Sequence, residues 1–141
     1  MDKDTEELEH ELKSADIKDY LEENRDNLRQ YTLAQYLEKL LAEKGLVKAE
    51  VVKRSNLSQI YAYHIFSGYK QTPAKKKILA LALAMELTVE ETQRLLYYAG
   101  AKKLYVRDPW DSVIWHALEH HHTVAATNEL LEKLHVGELL E

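Results

Sequence analysis

The 141-residue sequence contains no cysteine, which excludes thiol catalysis, disulfide frameworks and cysteine-ligated zinc sites. It has only four glycines, too few for a phosphate-binding loop in addition to the helix ends that they are expected to form. No apolar run approaches the ~18 residues that a membrane-spanning helix needs. The N-terminus is acidic and does not resemble a secretory signal. These absences predict a cytoplasmic protein that makes no contact with membrane.

The charges of the chain are unevenly distributed, although the net charge is −5. Residues 1–30 carry 11 acidic and 5 basic side chains, and residues 108–141 carry 7 and 1, whereas residues 31–107 carry 6 and 13. Between Lys44 and Lys77, Glu50 is the only acid among eight bases. Because a basic surface attracts phosphate, this segment indicates contact with the phosphates of a nucleic acid. The acidic ends would either weaken nonspecific binding to nucleic acid or bind a protein partner.

Cap signals and apolar spacing predict an all-α chain. Residues 1–29 combine a helical stripe of apolar side chains with many acids, which indicates an acidic arm of one or two helices. This arm is either a solvated segment or a helix that packs on the core or on a second subunit. Capping boxes at 32–35 and 88–91 each open a helix, and these two helices are expected to end at Gly45 and Gly100.

The most informative stretch lies between these two helices, at residues 55–73. A helix from about Lys48 to Ser55 is followed by Asn56, which tolerates the left-handed conformation of a sharp turn. Ser58 is a suitable N-cap for a second helix that runs to residue 67, and Gly68 ends it. The pattern therefore predicts two short helices joined by a tight turn.

A further helix is expected to begin at Pro73, with Thr72 as its N-cap. Three lysines, at positions 75–77, follow at its start, where the helix dipole disfavours positive charge. A nearby phosphate backbone would explain these lysines, and the alternative is a solvated basic turn.

The two helices around Asn56 resemble the helix-turn-helix of the phage-repressor-like (XRE) family. Asn56 stands where the family usually has a glycine, and Leu57 and Ile65 match its two apolar anchors. The resemblance extends over roughly residues 32–100. It implies a five-helix lambda-repressor-like DNA-binding domain at residues 31–101, in a sequence-specific transcriptional regulator of bacterial or phage origin.

The resemblance also implies which residues contact DNA. In the family, the second motif helix enters the major groove and its outward side chains contact base edges. The matching base-reading positions are Gln59, Ile60, Tyr63 and His64; glutamine pairs well with adenine, and isoleucine suits a thymine methyl group. The candidate phosphate contacts are Lys48, Lys53, Arg54, Ser58, Tyr61, Lys70, Gln71, Thr72 and Lys75. Val52 is larger, and Ala62 smaller, than the residues usual at their positions.

The sequence repeats itself at an offset of 35 residues. Eight positions between 82 and 104 are identical in the second copy, and they include cap and core positions: Thr88 recurs as Thr123, and Leu95 as Leu130. This predicts a helical hairpin at residues 102–141, opened by Asp108-Pro109 and ended by Gly137. Its expected role is packing or dimerisation. Its two tryptophans, Trp110 and Trp115, are either core residues or dimer anchors.

Histidines at 116 and 120–122 invite a metal-site interpretation. However, consecutive helical residues point in different directions, so His120, His121 and His122 cannot all ligate one ion. Ala117 also stands where the zinc-protease motif has its glutamate. We therefore expect no metal and no cofactor, and because no catalytic set of residues emerges, no enzyme activity.

These observations predict three regions: an acidic helical arm at 1–30, a helix-turn-helix domain at 31–101 and a helical hairpin at 102–141. The predicted function is sequence-specific DNA binding, with a homodimer presenting two motif helices. The alternative is a protein-interaction module that has kept the helix-turn-helix fold but binds a protein through its tyrosine-rich helix or its acidic ends.

Overall fold

The computed structural model describes residues 3–25, 28 and 31–140 of the chain. Across these residues all regular secondary structure is helical, which confirms the all-α prediction. The helices are α1 (Thr5–Ser14), α2 (Ile17–Glu23), α3 (Leu33–Lys44), α4 (Lys48–Arg54), α5 (Gln59–Ser67), α6 (Lys75–Ala84), α7 (Val89–Tyr98), α8 (Pro109–Glu119) and α9 (Val124–Lys133). The chain forms two compact units, Met1–Gln30 and Tyr31–Glu141.

The first unit is a pair of short, acid-rich helices. The carboxylate of Asp4 accepts from the Glu7 N–H and caps α1, and Asp16 caps α2 in the same way. Of the apolar stripe predicted here, Tyr20 is buried, whereas Leu12, Ile17 and Leu21 are exposed. The arm is thus helical, and most of its apolar side chains remain accessible.

Both predicted capping boxes are present in the second unit. The Gln35 N–H donates to Thr32 Oγ1 at 3.1 Å, while Gln35 Oε1 accepts from the Thr32 N–H at 3.0 Å. Thr88 and Glu91 exchange the equivalent pair of bonds at the start of α7. These reciprocal bonds satisfy backbone donors that the first helical turn leaves free, so they fix where α3 and α7 begin.

The core of the second unit is built around α6, which packs against α4, α7, α8 and α9. Every residue from Ile78 to Ala84 is buried, so α6 is apolar on all sides after its first turn. The predicted start of α6 at Pro73 is wrong by two residues. Pro73 is buried in the preceding loop, and Ala74, with extended backbone, occupies the N-cap position without a side-chain cap.

The hairpin α8–α9 repeats the architecture of α6–α7 down to individual hydrogen bonds. Gln93 clamps the backbone N–H and C=O of Leu104 at 2.8 and 2.9 Å, and Asn128, 35 residues later, clamps Leu139 N–H at 2.7 Å and Leu140 C=O at 2.8 Å. The turns between the helices match as well, because Glu86 and the equivalent His121 both have φ = +53°. The N–H contacts match at an offset of 35 residues and the carbonyl contacts differ by one residue, which supports a duplicated hairpin.

The end of α9 corrects one sequence prediction. Gly137 was expected to end this helix, but α9 ends at Lys133 and His135 adopts the left-handed conformation after it, with φ = +56°. His135 is the repeat equivalent of Gly100. Gly137 lies two residues further on, where a Cβ would approach the ring of Trp110 to 3.2 Å. The glycine therefore serves a close contact with Trp110.

Candidate nucleic-acid interface

The turn between α4 and α5 is fixed by two residues. Asn56 has φ = +60°, as expected for the residue that reverses the chain. Ser55, which is fully buried, donates its hydroxyl to the Val52 carbonyl at 2.7 Å and accepts from the Leu57 N–H at 3.2 Å. This role of Ser55 was not predicted. A serine directly before a left-handed asparagine is the available sequence signal, because such residues bond to nearby backbone in turns.

Helix α5 has a buried face and an accessible face. Ala62, Ile65 and Phe66 are buried. The predicted base-reading residues lie together on the other side at helical positions i, i+1, i+4 and i+5: Gln59, Ile60 and His64 are exposed, and Tyr63 is half-buried. Ile60 is 72% exposed, so its side chain is available for contact at this face.

The N-terminal end of α5 is closed by Ser58, whose hydroxyl accepts from the Tyr61 N–H at 3.2 Å. This bond uses an acceptor lone pair and leaves the hydroxyl proton free to donate, so Ser58 can still reach a phosphate. Tyr61 is half-buried, and its ring lies against the core. At the other end, the exposed ring of Tyr69 contacts the His64 ring with centroids 4.7 Å apart.

The predicted phosphate contacts fall into two groups. Lys53, Arg54, Lys70, Gln71 and Thr72 are exposed, and Lys53, Arg54 and Lys70 have no ion-pair partner within the described residues. Lys48, in contrast, forms an ion pair with Glu38 at 2.5 Å, and its ammonium lies 5.5 Å from the centroid of the Phe66 ring.

Lys75 is engaged within the fold. Its ammonium lies 3.1 Å from both carboxylate oxygens of Asp111 and donates to the Lys103 carbonyl at 3.3 Å. The Asp111 side chain is only 7% exposed, and it also accepts from the Tyr105 N–H at 2.8 Å. Lys75 therefore connects α6 to α8, and its partner Asp111 lies 36 residues later in the sequence. The sequence analysis did not predict this pairing.

The three lysines at the start of α6 diverge. Lys76 lies 5.6 Å from the Trp110 ring centroid, on the hairpin side, whereas Lys77 lies 5.9 Å from the Tyr61 ring of α5. Two residues correspond to about 200° of rotation on a helix, so Lys75 and Lys77 face nearly opposite directions. Lys77 therefore lies beside α5, whereas Lys75 and Lys76 lie towards the hairpin α8–α9. Helical spacing alone, applied to 75–77, gives that separation.

The part of the chain that the structure describes is an all-helical protein with an exposed polar and aromatic helix face flanked by cations. Among the described helices, none is long and apolar enough to cross a membrane. No protein-family model, no curated protein and no solved structure matches the chain.

Proposed function

We propose that this protein is a sequence-specific DNA-binding transcriptional regulator of the phage-repressor-like (XRE) type, acting in the cytoplasm of a bacterium or in a phage-infected cell. Helix α5 would enter the major groove, with Gln59, Ile60, Tyr63 and His64 towards base edges. In a homodimer the two copies of α5 would lie about 34 Å apart, one turn of DNA.

The observation that carries this proposal is the outward face of α5. It combines an amide, an imidazole and a phenol, which can donate or accept hydrogen bonds, with an exposed isoleucine that suits a thymine methyl group. The helix is presented by the Asn56 turn, and its opposite side is fixed in the core by Ala62, Ile65 and Phe66. A rigidly mounted, accessible helix of this chemistry fits the groove.

The charges around α5 also support DNA. No acidic residue occurs between positions 51 and 85, so nothing in that segment would repel a phosphate. Lys53 and Arg54, at the end of α4, are exposed and unpaired among the described residues. A DNA-binding protein needs such uncommitted cations on the flanks of its recognition helix, because phosphate contacts set its affinity and its register.

Charge reversal tests the electrostatic part of this proposal. The variant Lys53→Glu/Arg54→Glu should lose DNA binding, whereas Lys102→Glu/Lys103→Glu, an equal change of charge in the exposed segment before α8, should bind within a few-fold of the unchanged protein. The assay is fluorescence anisotropy with a labelled duplex at two salt concentrations. Equal losses in the two variants would mean that only the overall charge matters and that α4 has no special place in binding.

A single substitution tests base recognition. Gln59→Ala should weaken binding to the preferred sequence by about 1–3 kcal/mol and relax the preference at one position. Gln71→Ala, which removes an exposed glutamine from the loop after α5, is the matched control and should leave the sequence preference unchanged. Equal preferences in both variants and the unchanged protein would argue against base reading by Gln59.

A second candidate function is protein binding through the same face. Ile60 is 72% exposed and Tyr69 is 79% exposed, and aromatic side chains are frequent in protein interfaces. If this face binds a protein, Ile60→Ala should abolish partner binding, while Lys53→Glu/Arg54→Glu should leave it largely intact. If the face binds DNA, Lys53→Glu/Arg54→Glu should reduce binding more than Ile60→Ala does.

A further inference from the structure

A segment with three cations and two exposed apolar side chains precedes α8. Residues 101–107 include no acid, and their three cations are exposed: Lys102, Lys103 and Arg107. None of the three forms an ion pair within the part of the chain that the structure describes. Tyr105 and Val106 lie between them in the sequence and are 55% and 57% exposed. These five residues form the basic-apolar segment.

The backbone of this segment is fixed by side chains of the neighbouring helices. The Gln93 amide accepts from the Leu104 N–H at 2.8 Å and donates to the Leu104 carbonyl at 2.9 Å. The Asp111 carboxylate accepts from the Tyr105 N–H at 2.8 Å, and Leu104 itself is buried in the core. The exposed side chains are therefore presented from a preformed loop, which lowers the entropy that a partner loses on binding to them.

The internal repeat separates what the hairpin requires from what it does not. Leu104 recurs as Leu139, and in both copies the leucine is buried and its N–H is held by an amide side chain. The cations do not recur, because Gly137 and Glu138 stand at the positions equivalent to 102 and 103. Since the second copy forms the same backbone contact without these cations, the fold does not require them. A role at the surface accounts for their presence.

The basic-apolar segment lies across the start of α6 from helix α5. The Lys103 carbonyl accepts from the Lys75 ammonium at 3.3 Å, whereas the Lys77 ammonium lies 5.9 Å from the centroid of the Tyr61 ring of α5. Lys75 and Lys77 face nearly opposite directions on α6, because two residues correspond to about 200° of rotation. The segment is therefore a second basic surface, separate from the α5 face, and it is not helical.

We propose that the basic-apolar segment binds an acidic peptide segment of a partner protein, in which aromatic or aliphatic side chains alternate with the acids. The three cations would pair with its carboxylates, and Tyr105 and Val106 would contact its apolar side chains. Charge complementarity favours an acidic partner, and the two exposed apolar side chains favour a peptide, because a phosphate backbone offers them no apolar contact. This interaction does not depend on the proposed DNA binding.

Fluorescence anisotropy of the whole chain with a labelled peptide of sequence EEFEELEE, at low salt, tests this surface. We expect saturable binding, and a loss of affinity of more than about tenfold in Lys102→Glu/Lys103→Glu. Tyr105→Ala should weaken binding by more than about threefold, because it removes an apolar contact. These positions are exposed, so the variants should keep the circular dichroism spectrum of the unchanged protein. The peptides QQFQQLQQ and EESEESEE, which lack the charges and the apolar side chains respectively, should each bind more weakly than EEFEELEE.

Lys53→Glu/Arg54→Glu is the matched control, because it makes an equal change of charge at the end of α4. Its affinity for EEFEELEE should stay within about threefold of the unchanged protein, since these residues lie outside the segment. The proposal is overturned if no saturable binding is seen, if the two double variants lose equal affinity, or if EESEESEE binds as well as EEFEELEE. It is also overturned if Lys102→Glu/Lys103→Glu weakens binding to a labelled DNA duplex or single strand as much as binding to the peptide, which would assign the segment to nucleic acid.

Discussion

Lys75 and Lys53 have the same side chain and were both predicted to contact phosphate, yet the structure gives them different roles. Lys75 pairs with the buried carboxylate of Asp111, whereas Lys53 is exposed and unpaired among the described residues. We predict that Lys75→Ala destabilises the fold and leaves the salt dependence of DNA binding unchanged. Lys53→Ala should leave the stability of the fold nearly unchanged and reduce the salt dependence of DNA binding.

The size of the Lys75→Ala effect follows from what the substitution leaves behind. Removing one partner of a buried ion pair costs about 3–5 kcal/mol, because the other charge stays buried. Two features reduce this cost. Asp111 would keep its hydrogen bond from the Tyr105 N–H, at 2.8 Å, and water can reach the space left by Lys75, because the Lys75 side chain is 23% exposed. We therefore expect a loss of about 2–3 kcal/mol, which for a folded unit of this size is a fall in melting temperature of roughly 8–12 °C.

Urea denaturation followed by circular dichroism measures this loss. The double variant Lys75→Ala/Asp111→Asn should be less destabilised than the sum of its two single variants, with a coupling energy above about 1 kcal/mol. Lys53→Ala should change stability by less than about 0.5 kcal/mol, and should reduce the slope of log K against log salt by about 0.9, the value for one lost phosphate contact. The reasoning is refuted if Lys75→Ala is as stable as the unchanged protein, or if it reduces the slope as Lys53→Ala does.

The remaining predictions concern the turn, the repeat and pH. Ser55→Ala should lower stability by about 1–3 kcal/mol in urea denaturation, since it removes both bonds of a buried hydroxyl, while Ser67→Ala, at an exposed position, should change it little. Gln93→Ala and Asn128→Ala should each cost about 1–2 kcal/mol, because they release equivalent backbone segments; a large cost in one and none in the other would contradict equivalent roles. Partial burial alone would raise the pKa of Glu91, but the Thr88 N–H and the Lys44 ammonium lower it below its ordinary value. Glu91 thus adds stability above its unfolded pKa, and this is lost as the pH falls through its lower folded pKa. Glu91→Gln, which preserves a cap acceptor, should therefore be less stable than the unchanged protein at pH 7 by about 0.5 kcal/mol, and urea titrations should show this difference closing as the pH falls below the ordinary range of a glutamate pKa.

Local signals predicted much of the fold because they act over a few residues. Thr32, Thr88 and Thr123 cap their helices as the sequence indicates, and Asn56 adopts the left-handed turn. The repeat at 35 residues was visible in sequence, since its cap and core positions are the ones that the hairpin requires. The exposed face of α5 also followed from helical spacing once the buried positions were assigned.

The features that local sequence patterns did not show have a common cause, which is contact between distant parts of the chain. The partner of Lys75 lies 36 residues away, so local spacing could not show that this lysine is engaged. Pro73 is buried in a loop although its sequence context is that of a helix start. Helix α9 ends at Lys133 and His135 adopts the left-handed conformation after it, while Gly137 lies against the Trp110 ring, 27 residues earlier in the chain. Each outcome depends on tertiary packing, which outweighs a local preference of about 1 kcal/mol.

The central claim is that α5 recognises DNA by sequence, and the most direct measurement is selection of bound fragments from a genomic library at two salt concentrations. We predict that a common motif is enriched and that Gln59→Ala relaxes one position of this motif. Binding to the motif should also fall steeply between about 50 and 200 mM salt, because log K falls by about 0.9 per neutralised phosphate for each tenfold increase in salt concentration. Absence of binding at the lower salt concentration would contradict the account and would favour a protein partner for this face.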